Sequence, residues 1–148
     1  MRNTFFIIGL IFVSFILSCM LIIPVRGEHD MQTAKGKKVV MIIARSNFRD
    51  EELLKPKEVL GKNGVAVTVA SSSLKEATGM LGAKVKPEML FININIADYD
   101  GIVFVGGSGA SEYWDNPTAH KIANDANHAK KIVGAICIAP VTLAKAGL

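Results

Sequence analysis

Apolar and polar positions divide the chain into a few distinct kinds of stretch. Residues 5–23 are apolar nearly throughout and carry no charge. After a polar, aperiodic segment at 28–36, short runs rich in β-branched residues recur at 38–44, 65–70, 101–105 and 132–136. Such runs suit strands of a parallel sheet covered on both faces. The intervening stretches read differently. Residues 45–52 form a polar crossover, with Asp50 a candidate helix cap. Pro56 has no N–H and fits a helix only in its first turn, so a helix is expected to begin close to it. Val59 and Leu60 are expected to face inward, and Asn63-Gly64 to end that helix. Residues 83–86 read as a weak strand, whereas 89–96, with alternating Asn93 and Asn95, fit no single pattern. Asn116-Pro117 opens a helix running to about Lys131, with Ile122, Ala123, Ala126 and Ala129 on its inner side. A last helix covers 139–146, capped by Gly147-Leu148. Strands alternating with helices predict an α/β fold, a doubly wound parallel sheet flanked on both faces.

The apolar run at 5–23 changes the organisation. At about 1.5 Å per residue it nearly spans a hydrocarbon core, which marks a targeting element rather than part of the fold. Arg2, the apolar run and Gly27 fit a cleaved signal peptide, while the length of the run fits an uncleaved membrane anchor. Cys19 after Leu17-Ser18 offers a lipidation reading, against which residues 20–23 continue apolar. Arg26, Lys35, Lys37 and Lys38 follow the run, so the positive-inside rule would keep the domain of an uncleaved anchor in the cytoplasm, whereas cleavage would export it. The expected layout is therefore a signal or anchor at 1–27, a linker at 28–36 and one domain at 37–148. The domain is expected to be incomplete. The strand leading to Cys137 needs a neighbour or cover on its far side, and a parallel sheet normally continues past such a helix.

Charge and cysteine content narrow the chemistry. The formal charge is +4, but residues 28–148 hold 15 Lys+Arg against 13 Asp+Glu. No basic stripe with interleaved aromatics occurs, so nucleic acid is not an expected partner. Of the two cysteines, Cys19 lies in the apolar run. Removal of 1–27 would leave Cys137 alone, with neither an internal disulfide nor a cysteine-based metal cluster. No cofactor and no metal are expected.

Candidate chemistry converges on the carboxyl edge of the sheet, where doubly wound folds bind ligands. Glu51 and Glu52 follow the first strand, Gly106-Gly107 follow the strand at 101–105, and Cys137 follows the last strand. Taken singly, each has an ordinary explanation: a solvated acid, a turn, a buried core cysteine. Cys137 ends a β-branched run where small residues and Pro140 open a helix, and a helix N-terminus favours thiolate. His120 and His128 lie eight apart on the helix face opposite the apolar one, which reads as a solvated stripe, and His29 falls in the linker. Gly107-Ser108-Gly109 lacks the third glycine of a dinucleotide fingerprint. Tyr113-Trp114 would either wall a pocket or pack in the core.

Four segments, in order, carry a family resemblance: 38–44; Phe48-Arg49-Asp50-Glu51-Glu52-Leu53 with Pro56; Tyr99-Asp100-Gly101-Ile102-Val103-Phe104-Val105-Gly106-Gly107; and Ala135-Ile136-Cys137-Ile138-Ala139-Pro140. The chain resembles the DJ-1/PfpI family, within the class I glutamine amidotransferase-like fold. That resemblance implies a flavodoxin-like α/β/α sandwich. It also implies Cys137 as a nucleophile at an elbow, Glu52 as the acid contacting its sulfur, and backbone N–H groups of Gly107 and Ile138 facing a developing oxyanion. A protonated Glu52 carboxyl could donate to thiolate, whereas a second negative charge would disfavour it. The implied activity is a cysteine-dependent hydrolase, glyoxalase or deglycase on small carbonyl or acyl substrates, in a homodimer. A non-catalytic redox sensor or chaperone-like stress protein is the alternative. A PfpI-type peptidase is a third reading, which Ile138 weakens because that branch places His directly after the cysteine. Ala139 stands where many members have Gly, and a histidine that many members bring near the sulfur belongs to a stretch beyond the elbow helix.

Overall fold

The computed structural model describes residues 34–148. The apolar run, Cys19 and His29 lie outside the described residues. Of the expected linker, 34–36 form a turn joined to the domain, with the Gly36 N–H donating to the Gly64 carbonyl at 2.9 Å.

Five strands form one parallel sheet. In chain order they are β1 (Lys38–Ile43), β3 (Ala66–Ser71), β6 (Met89–Leu90), β7 (Gly101–Phe104) and β8 (Ile132–Ala135). Their spatial order is β6-β3-β1-β7-β8, with β1 at the centre. In β1, Val40, Met41, Ile42 and Ile43 are all fully buried, because alternate residues enter opposite layers. Val40 and Ile42 join Ile102, Phe104, Phe91 and Tyr113 on one side, where α2 (Pro117–His128) presents Ala119, Ile122, Ala123 and Ala126. Met41 and Ile43 join Val69, Val105, Phe48 and Leu53 on the other, beneath α1 (Asp50–Lys62). Full burial of each large apolar side chain contributes about 1.5–3 kcal/mol before ordering costs. A short helix, α3 (Pro140–Lys145), follows β8.

The α/β doubly wound expectation holds, with local corrections. Helix α1 starts at Asp50, six residues before Pro56, which sits inside it. Pro56 withholds the N–H that would bond the Glu52 carbonyl, a defect offset by burial of Leu53 and by ties at the helix start. Asp50 is not the cap. Arg49 occupies that position, and Asp50 is the first helical residue. Val59 is exposed, so Leu53 rather than Val59 anchors the helix. Helix α2 stops at His128, leaving Ala129 exposed, and its cap is Asn116, whose side chain accepts from the Thr118 and Ala119 N–H groups at 2.9 and 3.1 Å. The 45–52 crossover contains β2 (Ser46–Phe48), which pairs with β4 (Ala77–Gly79). Together with β5 (Lys84–Val85) they make a second, three-stranded sheet. The 89–96 stretch resolves into β6 followed by a 3-10 turn at Phe91–Asn93, and another follows at Ile96–Asp98.

Candidate active site

All five strands of the main sheet run the same way, so residues following β1, β7 and β8 share one edge. Immediately after β8 the chain turns sharply at Cys137, whose φ is +61°. That left-handed conformation costs a non-glycine residue about 1–2 kcal/mol, and it leaves the free thiol exposed. The turn is held on its helix side. The Ala139 N–H donates to the Ile136 carbonyl at 3.0 Å, and the Thr142 N–H to the Ala139 carbonyl at 2.9 Å.

Glu52 approaches from α1. Its Oε2 accepts the Gly106 N–H at 3.0 Å, while the Gly106 carbonyl accepts the Arg49 N–H at 2.9 Å. One residue, through the two peptide groups on either side of it, thus ties the start of α1 to the end of β7. Gly106 also makes the space in which acid and cysteine meet. A Cβ there would fall 2.6 Å from Glu52 Oε2 and 2.7 Å from Cys137 Cβ, so those two atoms lie within about 5.3 Å of each other. No carboxyl–thiol hydrogen bond forms among the described residues; one Glu52 oxygen is instead bonded to the Gly106 amide. Gly107, at φ +93°, needs glycine for two reasons. Its backbone is left-handed, and a side chain would collide with the Arg49 nitrogen and the Asn47 carbonyl. Among the described residues neither the Gly107 nor the Ile138 N–H donates to another group.

The segment after Gly107 braces this edge. Residues Ser108–Tyr113 form a 3-10 turn, and Tyr113 is buried. Its hydroxyl donates to the Ile43 carbonyl at 2.8 Å and accepts the Ser72 N–H at 3.1 Å, which joins the ends of β1 and β3. Burial, reinforced by neighbouring Glu112, pushes the phenol well above its ordinary pKa and keeps it protonated. Tyr113 is therefore core. Trp114 packs half-buried, and its indole Nε1 donates to the Ile138 carbonyl at 3.3 Å. His120, expected on a solvated stripe, is instead half-buried and bonded through Nε2 to the Trp114 carbonyl at 2.7 Å; His128 is exposed.

The structure brings Glu52 and Cys137 together around Gly106 and leaves Gly107 and Ile138 flanking them. Glu51 faces solvent, where it pairs with Arg49 at 3.1 Å. Sequence reasoning marks Gly106 as part of a Gly-Gly turn, Asp50 as a helix cap and Trp114 as a pocket wall or core residue. It misses Gly106 as a donor and spacer, Asp50 as the acceptor of the Leu81 and Ala83 N–H groups, and Trp114 as a donor to the Ile138 carbonyl. No group of three or more His, Cys, Asp or Glu side chains suited to a metal occurs among the described residues. No helix among them is long and apolar enough to cross a membrane.

Comparison with known proteins settles the lineage. The DJ-1/PfpI family model matches residues 37–148. The chain belongs to the DJ-1/PfpI family. It is 41% identical over 123 residues to MJ0967 of Methanocaldococcus jannaschii, covering 82% of this chain and 60% of that protein. It is 31% identical over 109 residues to the deglycase PH1704 of Pyrococcus horikoshii, covering 74% and 66% respectively. The crystal structure of a ThiJ/PfpI domain protein from Brachyspira murdochii superposes with a TM-score of 0.73 at 29% identity, covering 76% of this chain and 65% of that one. The chain thus spans less than two thirds of the length of these relatives.

Proposed function

We propose that the protein is a cysteine-dependent enzyme of the glyoxalase, deglycase or related hydrolase type, acting on small carbonyl or acyl compounds. The observation that carries this reading is the exposed Cys137 thiol, held in a left-handed turn, with the Glu52 carboxyl beside it across the missing side chain of Gly106. With a dicarbonyl aldehyde, the Cys137 thiolate adds to the aldehyde carbon, and the new C–S bond leaves an oxyanion. The unpaired Gly107 and Ile138 N–H groups receive that charge. Glu52 moves the proton from the former aldehyde carbon to its neighbour, giving a thioester. Water then cleaves the thioester and returns the thiol. The similarity to PH1704, named a deglycase, supports this class.

Turnover of methylglyoxal to lactate by the purified protein tests the reading. Cys137→Ser is expected to abolish it. Glu52→Gln is expected to reduce it about 10²–10⁴-fold, the range of general acid–base assistance. Absence of turnover together with stoichiometric oxidation of Cys137 at low peroxide would instead identify the redox-sensing alternative, which the exposed thiol also favours. A peptidase has less support. Ile138 packs against the core, and His120 is committed to Trp114.

Two wider expectations belong to this proposal. The protein assembles as a homodimer, as family resemblance implies, which sedimentation would check. It is exported or membrane-anchored through residues 5–23, which cell fractionation would check.

A further inference from the structure

We infer that Trp114 is a positioning residue for the elbow, acting through the Ile138 carbonyl. The inference rests on the proposed role of the Ile138 N–H, but its structural part stands alone. Ile138 carries two peptide units. Its N–H lies on the Cys137 side, and its carbonyl on the Ala139 side. That carbonyl receives only two donors among the described residues, the Val141 N–H at 3.3 Å and the Trp114 indole at 3.3 Å. The first comes from within the same turn and moves with it. The indole comes from a different segment, and that segment is anchored twice more. Tyr113 is locked to Ile43 and Ser72, and the Trp114 carbonyl accepts His120 Nε2 at 2.7 Å from α2. The short His120 contact requires the proton on Nε2, so His120 donates whether neutral or charged. The indole thus references the elbow to α2 and to the β1 end, rather than to its own loop.

This brace has a job. Cys137 sits at φ +61° without a glycine's freedom, and such a conformation persists only where the surroundings over-determine it. Without the indole, the Ile138–Ala139 peptide is held only from within its own turn, by the Ala139 N–H on the Ile136 carbonyl and the Val141 N–H on the Ile138 carbonyl, so the turn can shift as a unit and carry the Ile138 N–H with it. The thiol would lose its outward pose, and the N–H its aim.

Trp114 is the only tryptophan of the chain, so an isosteric analogue can replace it without touching another position. Benzothienylalanine keeps the ring shape and deletes the N–H, and Trp114→Phe serves as a second variant. Both are compared with the parent protein by kcat and KM for methylglyoxal and by the rate of Cys137 alkylation with iodoacetamide. The expected result is a fall in kcat of about two- to tenfold, the worth of one net hydrogen bond, with KM within about twofold. Alkylation is expected to slow in parallel, while the benzothienyl protein keeps its thermal midpoint. Unchanged kcat and unchanged alkylation in the folded benzothienyl protein would overturn the inference. If the parent protein turns over no dicarbonyl, the enzyme reading fails by itself. Slower alkylation would then still support the brace, and an unaltered alkylation rate would refute it.

Discussion

At the scale of single residues, the site depends on side chains that are missing. Gly106 leaves room for Glu52 and Cys137 to meet, and Gly107 lets the strand end pass under the Arg49 and Asn47 backbone. Gly107→Ala combines a strained φ with a collision against main-chain atoms that cannot swing aside. It is expected to cost about 2–4 kcal/mol, read as a lower urea midpoint, with loss of turnover. A midpoint equal to that of the parent would mean the loop opens more cheaply than its packing indicates. Cys137 presents the opposite case, a residue with a side chain in a backbone region that favours glycine.

At the scale of elements, the start of α1 connects the two sheets. Asp50 is buried, and its carboxylate accepts the Leu81 and Ala83 N–H groups at 2.8 and 2.7 Å from the β4–β5 turn. Gly79 has no side chain where the carboxyl lies. Burial by itself would raise the Asp50 pKa. The N–H groups of Leu81, Ala83 and Asp50 itself, with the Arg49 charge, outweigh burial and hold it below the ordinary value of 3.8. A lowered folded-state pKa gives stability that is present above the unfolded value and is lost as pH falls through the folded one. Asp50→Asn is therefore expected to lower the urea midpoint at pH 7 and to narrow the gap from the parent below about pH 3.8, the ordinary Asp value. A constant gap across that range would show that the carboxylate charge is not what ties α1 to the small sheet.

At the scale of the whole molecule, the sheet is covered unevenly. Strand β8 lies at one edge, and among the described residues nothing pairs with its far side. Ile132 at its start is 72% exposed, beside a cleft of about 490 Å³ lined by Val39, Leu60, Val65 and Val103. That cleft sits at the opposite end of the strands from Cys137. Ile102, one strand inward, is fully buried. Ile102→Ala is expected to cost about 2–5 kcal/mol through cavity formation, whereas Ile132→Lys should change stability by no more than about 0.5 kcal/mol. The lysine should also reduce self-association, because a charge on an edge strand discourages pairing with another chain. Urea unfolding and light scattering check both. An Ile132→Lys loss comparable to that of Ile102→Ala would show that this edge is covered in solution.

Much of the scaffold was legible because its physics is local. A strand buried on both faces needs consecutive apolar residues, so β1, β3, β7 and β8 stood out as runs. Asn63-Gly64 marked a helix end because only certain residues turn left-handed cheaply. The small sheet was not legible. Ala77–Gly79 and Ser46–Phe48 carry no period-two pattern, and they pair because α1 and the Asp50 carboxylate hold them together. Pro56 misled for a related reason: a local rule about helix starts yielded to Leu53 burial and the Asp50 ties, which come from residues some thirty positions away.

The sequence by itself determined the layered α/β plan, from periodicity, and named Cys137 and Glu52 as candidates, through motif resemblance. Tertiary structure alone decided that these two meet across Gly106, that Tyr113 is core and that Trp114 holds the elbow. The physical reason is distance along the chain. Contacts between residues more than twenty positions apart leave no period in the sequence, and they exist only once parallel strands bring their carboxyl ends to one edge.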